Sequence, residues 1–417
     1  MPRLTRDRLT WLTYAQLGLW GFFLYGFGPV VPLLRDEQGT SAAVAGLHST
    51  GIAVGALAGG ALFAPLARRF GRGRAIWTGL TGVALGVAVL GAVRVLPATI
   101  AAVAVIATFG MLVVSGVAVV LTDRHGAGAP AALTEANAVC AGAGILAPLV
   151  IGASVDAGWG WRPAMAVEAG LIALVALAAL TFRVRLPRPA PTGAPGGAPA
   201  LAPAGGVPAD AAPAADAHRS GRRLPPAYWI AWVLMAVTGS IEVCLSLWTA
   251  DVLRSHAGMA TGTASAAVAA IVGGMFVGRL VGGRFALRYR PAPLLLAALC
   301  LSLVGFALFW VAPVGWLAVT GLVVLGLGNA LHYPLAISIA LAVAGPAADR
   351  AAGWASYSMG VGFGIAPVAL GWVADGVGPH LAFLLLPGFI AVAALLAARL
   401  GRALRPTPAE VRSPAAA

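Results

Sequence analysis

The stretch Thr238 to Arg254, TGSIEVCLSLWTADVLR, holds a carboxylate, Glu242, in a run otherwise apolar enough to cross a membrane. A charge there costs about 2.5 to 3.5 kcal/mol on insertion scales, so the chemistry it points to is the binding of a proton or a polar solute. Thr238, Glu242, Ser246 and Thr249 are spaced 4, 4 and 3 apart, one stripe of a helix, with Trp248 next to it. A second run, GLGNALHYPLAISIAL, sets Asn329, His332 and Tyr333 at i, i+3 and i+4. Pro334 comes next; its missing N–H frees a carbonyl one turn back and permits a bend. Arg279, inside another apolar run, is the available countercharge for Glu242. Gln16, Trp20, Tyr25, Thr108 and Ser115 complete the candidates. Each has a plainer reading. Hydroxyls bond their own helix backbone, His332 can be satisfied by a neighbouring carbonyl, and Glu242 can serve a structural hydrogen bond or ion pair.

These residues need helices to hold them. Of 417 residues 60% are hydrophobic and only 10% charged, where a soluble chain carries about a quarter charged. Most of the exterior therefore meets lipid, and the 55 glycines suit helices that approach closely. All 27 basic residues are arginine. The net charge of +13 does not indicate nucleic acid, because the arginines punctuate apolar runs instead of clustering on a solvated face. Cys140, Cys244 and Cys300 sit in apolar runs without metal or redox spacing. No phosphate loop, metal cluster or nucleophile constellation is present, so no enzyme activity and no cofactor are expected.

Apolar runs long enough to span the hydrocarbon as helices fall near 10–33, 44–66, 75–95, 97–121, 136–156 and 162–183, and again near 227–251, 263–286, 292–312, 315–343, 353–374 and 381–400. The first run exceeds a signal peptide's core and is read as a span. The expectation is an all-α integral membrane protein of twelve helices. It has six-helix bundles at 1–185 and 227–402, a Pro/Ala/Gly-rich disordered cytoplasmic linker at 186–226 and a tail at 403–417. With the N-terminus inside, the inner segments hold 21 arginines and the outer loops four, which places both termini and the linker in the cytoplasm of a multi-pass plasma-membrane protein.

An internal repeat ties the bundles together. VGALAGG at Val54–Gly60 returns as VGRLVGG at Val277–Gly283, and APLVIGASVD at Ala147–Asp156 returns as APVALGWVAD at Ala366–Asp375, at offsets of 223 and 219. Parallel six-helix repeats of this kind are a secondary-transporter design.

With these repeats the chain resembles the major facilitator superfamily over its whole length apart from linker and tail. The family's signature between spans 2 and 3 is matched by APLARRFGRGR, in which Arg69, Gly71, Arg72 and Arg74 fit while Ala64 and Arg68 replace the usual glycine and aspartate. The resemblance implies a cytoplasmic gate loop at Arg68, Arg69, Gly71, Arg72 and Arg74, and the missing aspartate weakens that assignment in favour of a basic anchor. It also implies that spans 1, 4, 7 and 10 line a central cavity, which makes Gln16, Trp20, Tyr25, Thr108, Ser115, Thr238, Ser246, Trp248, Thr249, Asn329, His332 and Tyr333 cavity-lining. Span 4 lacks the arginine, and span 5 the full glycine motif, of drug/proton antiporters. Spans 7 and 10 are similar to the fucose and hexose proton symporter branch.

At about 1.5 Å per residue, Glu242 lies about 21 Å from the inner start of its helix, and Arg279 about 10 Å nearer the cytoplasm, so a direct pair requires span boundaries shifted by several residues; pairing with Glu242 and a role in a cytoplasmic gate are both open. Glu168 is expected to snorkel or pair with Arg162, and Glu135 with Asn137 to join a charge network at the inner end of span 5; His48 has no assigned role. The functional expectation is a monomeric secondary transporter moving a small organic solute, with protons as the coupling ion. The alternatives are an efflux antiporter for drugs or metabolites, and a receptor or enzyme on a transporter-like scaffold.

Overall fold

In hydrocarbon every backbone N–H and C=O must find a partner within the chain, which leaves the helix as the solution for single apolar runs of this length. The computed structural model, which describes residues 6–184, 224–286 and 288–404, holds twelve such helices. They are span 1 (Arg8–Gln38), span 2 (Ala42–Phe70), span 3 (Arg72–Ala92), span 4 (Leu96–His125), span 5 (Ala129–Asp156) and span 6 (Arg162–Thr181). The second set is span 7 (Pro226–Ser255), span 8 (Thr261–Ala286), span 9 (Pro291–Val311), span 10 (Gly315–Ala344), span 11 (Gly353–Val377) and span 12 (Pro379–Arg402). The segments 186–226 and 403–417, read above as linker and tail, fall almost wholly outside the described residues.

Spans 1 and 2 start at side-chain caps, Asp7 and Ser41. Span 1 starts at Arg8 because the Asp7 carboxylate accepts the Thr10 N–H at 2.9 Å. Burial opposes ionisation of Asp7, but the hydroxyl and N–H of Thr10 and the Arg124 guanidinium outweigh it and hold the pKa at about 2.

Spans 1–6 pack on one another (1 on 5, 2 on 4, 3 on 4 and 6), as do spans 7–12 (7 on 11 and 12, 8 on 10, 9 on 10), so the helices form two six-helix bundles. The first sequence repeat turns out to be a packing motif. A Cβ at Gly55 or Gly59 would strike the backbone of span 4, and one at Gly278 or Gly282 would strike span 10, so each copy lets its helix lie directly on the same partner within its half.

Between the halves, span 1 meets span 7, span 2 meets span 11 and span 5 meets span 8. The second repeat governs two of these contacts. Asp375, ending span 11, accepts the N–H groups of Ala42 and Ala43 at 2.7 and 3.0 Å, capping the start of span 2. Its repeat partner Asp156, ending span 5, lies against Gly262 in the first turn of span 8, where a Cβ would collide with the carboxylate. Arg35 joins Asp251 at 2.9 Å and Arg254 joins Asp36 at 2.8 Å across spans 1 and 7. All of these contacts lie at the end remote from the chain termini. At the terminal end, the ion pairs among the described residues stay within one half: Arg6–Glu135, Arg124–Asp7 and Arg72–Asp123. The halves are latched by ion pairs at one face, and none joins them at the other among the described residues.

Two C-terminal spans break where proline predicts. Span 10 is interrupted at Ala330–Leu331 and span 12 at Phe383–Leu384, each beginning at the residue whose i+4 donor is lost to Pro334 or Pro387.

Candidate functional site

Between the halves lies a cavity with about 910 Å³ of empty space, counting its open mouth. Its N-terminal wall is apolar: Trp20 and Leu24 from span 1, Ile52, Ala56 and Leu57 from span 2, and Met111 from span 4. Its C-terminal wall carries Glu242, Arg279, Asn329 and Tyr333, with Met359 and Phe363 from span 11.

Glu242 and Arg279 face each other, Oε1 to Nη2, at 4.0 Å, with 19% and 18% of their side chains exposed, so both look into the cavity and not into lipid. Axial counting left open whether an offset of about 10 Å would let them meet, and the side chains do approach. Helical side chains lean toward their helix's N-terminus, and spans 7 and 8 run in opposite directions. Glu242 therefore leans toward the terminal face and Arg279 away from it, and the two long side chains close the gap. Arg279 Nη1 also donates to the Tyr25 hydroxyl at 3.3 Å, across the two halves. Its Nε is buried with no partner among the described residues, as are the Asn329 Oδ1 and the Tyr333 hydroxyl.

The remaining candidates separate by position. Trp20 lies on the wall, its ring filling the space a Cβ at Gly110 would take. Tyr25 sits behind Arg279, packed on Gly144. Asn329 and Tyr333 reach the cavity, but His332 turns the other way and bonds Ser302 of span 9 at 3.0 Å. Its position three residues from Asn329 placed it on a nearby face, but burial against span 9 takes it from the cavity. The span 7 stripe is also divided. Glu242 alone lines the cavity, because toward the latched face span 7 is pressed onto spans 1 and 11: Ser246 abuts Gly28, Trp248 donates to the Pro367 carbonyl at 3.2 Å, and Thr249 is fully buried. Thr238 bonds the Met235 carbonyl and Thr108 the Ala104 carbonyl, each within its own helix. Gln16 and Ser115 are buried away from the wall.

Outside the cavity, Glu168 is fully buried and does not meet Arg162, whose guanidinium is taken by Glu37 at 2.7 Å. Glu135 does enter an end-of-span network, held by Arg6 and the Tyr14 hydroxyl. His48 bridges spans 2 and 4, between the Ala45 carbonyl and the Thr99 hydroxyl.

Sequence reasoning missed the span 2 and span 11 walls, since apolar residues carry no polarity signal. One clue existed. The repeat equates Ala56 with Arg279, and both line the cavity.

The family model of the Major Facilitator Superfamily matches residues 17–348 and 253–416. The chain belongs to the Major Facilitator Superfamily. No curated protein matches the sequence. Among solved structures of the superfamily's fold, it is similar to a bacterial homologue of the human lysosomal transporter Spinster in an inward-facing, unoccupied conformation: TM-score 0.73, 15% identity, 97% of this chain and 99% of that one. The nucleoside transporter NupG gives TM-score 0.68, 15% identity and coverage of 94% and 98%. The superfamily transporter FucP in its outward conformation gives TM-score 0.57, 16% identity and coverage of 94% and 98%. These likenesses establish the fold.

In the stretch APLARRFGRGR, Gly71 has a φ of +87°, which favours glycine at the corner between spans 2 and 3. Arg68, Arg69 and Arg74 reach solvent, and Arg72 pairs with Asp123 at the end of span 4. Among the described residues, the loop's acidic partner thus comes from the same half.

Proposed function

We propose that this superfamily transporter is a proton-coupled carrier that moves a small organic solute through the cavity by alternating access, with the proton held on Glu242. The observation that carries the reading is the ionisable pair Glu242 and Arg279, 4.0 Å apart on the wall of an otherwise largely apolar cavity in mid-bundle. Protonation of Glu242 removes its attraction for Arg279, a charge change a two-state bundle can use to switch. The arginine asymmetry supports placing both termini in the cytoplasm and hence the open mouth inward. The better superposition on the inward-facing Spinster homologue than on outward FucP supports the same reading. Tags at Gly205 and at the C-terminus should be inaccessible in intact cells, and labelling of either without permeabilisation would reverse the orientation.

The coupling test uses proteoliposomes and whichever solute a gradient-driven screen reveals. Glu242→Gln keeps size and hydrogen bonding but cannot titrate. It should fold, lose accumulation driven by a pH gradient and keep exchange of labelled for unlabelled solute. Accumulation at the wild-type level would remove the coupling role. A second reading, an efflux antiporter, draws on the apolar and aromatic wall of Trp20, Leu57, Met111 and Phe363. It predicts that deletion sensitises cells to a hydrophobic compound.

A further inference from the structure

Arg279 is held too loosely for a buried guanidinium. One amino group reaches Tyr25 at 3.3 Å, the other stands 4.0 Å from Glu242, beyond hydrogen-bond length, and Nε has no partner among the described residues. A buried N–H left unpaired costs about 1 to 3 kcal/mol, more on a charged group. The edge formed by Nε and Nη2 has the geometry that takes a carboxylate through two parallel bonds. Glu242 already sits beside the only arginine on this wall, so the surplus at the site is of donors, not acceptors. Asn329 Oδ1 and the Tyr333 hydroxyl are the other buried polar atoms here without partners, one turn of span 10 away. Facing them, the N-terminal wall presents Trp20, Leu57 and Met111 with no charged group.

From this we infer that the cavity takes an amphipathic organic monoanion, a single carboxylate on an apolar or aromatic body, with the carboxylate seated on the Arg279 guanidinium and the body against Trp20, Leu57, Met111 and Phe363. The inference rests on reading the cavity as the solute site. A dianion would set its second charge against Glu242, and a cation would have to approach Arg279. The charged and titratable groups around Glu242 are Arg279 on span 8, Tyr25 on span 1, Tyr333 on span 10 and, behind them, Cys140 on span 5. Among these, ionised Glu242 is the one group that competes with the solute's carboxylate for the guanidinium, so a proton on Glu242 and the anion on Arg279 favour each other.

The test titrates the purified full-length protein in detergent, following tryptophan fluorescence, with hydrocinnamate and octanoate as carboxylates, hydrocinnamamide as the neutral isostere and phenethylamine as the cation. Both carboxylates should bind saturably, and the amide and amine at least about tenfold more weakly, a difference of about 1.4 kcal/mol. Arg279→Gln should lose about tenfold or more in carboxylate affinity while leaving the amide unchanged. Arg279→Lys, which keeps the charge but not the fork, should fall between and covers the case in which the glutamine variant does not fold. Glu242→Gln should bind carboxylates at least as tightly as wild type and lose the strengthening that acidification otherwise brings. Failure of both carboxylates to bind, equal binding of amide and acid, or preference for the amine that Glu242→Gln abolishes would each overturn the inference. Binding in detergent needs no gradient, so this outcome is separate from coupling. Carboxylate binding together with normal accumulation by Glu242→Gln would refute only the coupling role, and the reverse pattern only the substrate class.

Discussion

The two halves of this transporter are copies in scaffold and opposites in chemistry. Gly55 and Gly59 seat span 2 on span 4 just as Gly278 and Gly282 seat span 8 on span 10, and the aspartates ending spans 5 and 11 both face the start of a helix in the other half. At the equivalent cavity position, however, the N-terminal half has Ala56 and the C-terminal half Arg279. The N-terminal half keeps span 4 unbroken, while span 10 is interrupted beside Asn329 and Tyr333. Duplication supplied a packing frame that both halves must keep for the interfaces to fit. At the cavity, charge and a broken helix, which cost stability, lie in one half, and the other presents an apolar wall.

The harshest way to break that asymmetry is to copy the charge across. Ala56→Arg places a second guanidinium in the cavity with no acidic partner, at a cost of about 2.5 to 3.5 kcal/mol by insertion scales. Membrane yield and thermal stability should fall sharply, and Ala56→Leu should be tolerated; equal stability of the arginine variant would mean that the N-terminal wall is wetter than its composition implies.

The shared latch comes next. Gly28→Leu drives a side chain into the backbone of Ser246 and should disfavour the latched arrangement of spans 1 and 7, with about 1 to 3 kcal/mol of overpacking. Distance measurements between spin labels on the two halves would report it. Unchanged distances at the latched face would show that the crossing has slack.

The smallest effect sharpens the comparison of the two aspartates. Asp375→Asn removes the charge from a helix-start cap that bonds two N–H groups and should loosen the latch by about 0.3 to 1 kcal/mol. Asp156→Asn should shift the same labels in the same direction, and opposite shifts would break the equivalence that the repeat implies.

The sequence by itself determined the twelve spans, the two-half organisation and both repeats, because hydrocarbon leaves a long apolar run one backbone solution and because small-residue spacings are read along a single helix. It also singled out Glu242, through the cost of its charge, and the weak point of span 10, through Pro334. Only the tertiary structure decided which side chains share the cavity. Arg279 reaches Glu242 because antiparallel helices lean their side chains toward each other, and axial counting contains no such term. His332 leaves the group, Trp248 and Ser246 become packing residues, and Met111, Leu57 and Phe363 become the wall, because a helix's polarity pattern is one-dimensional while the neighbour that each face meets is set by how two bundles dock.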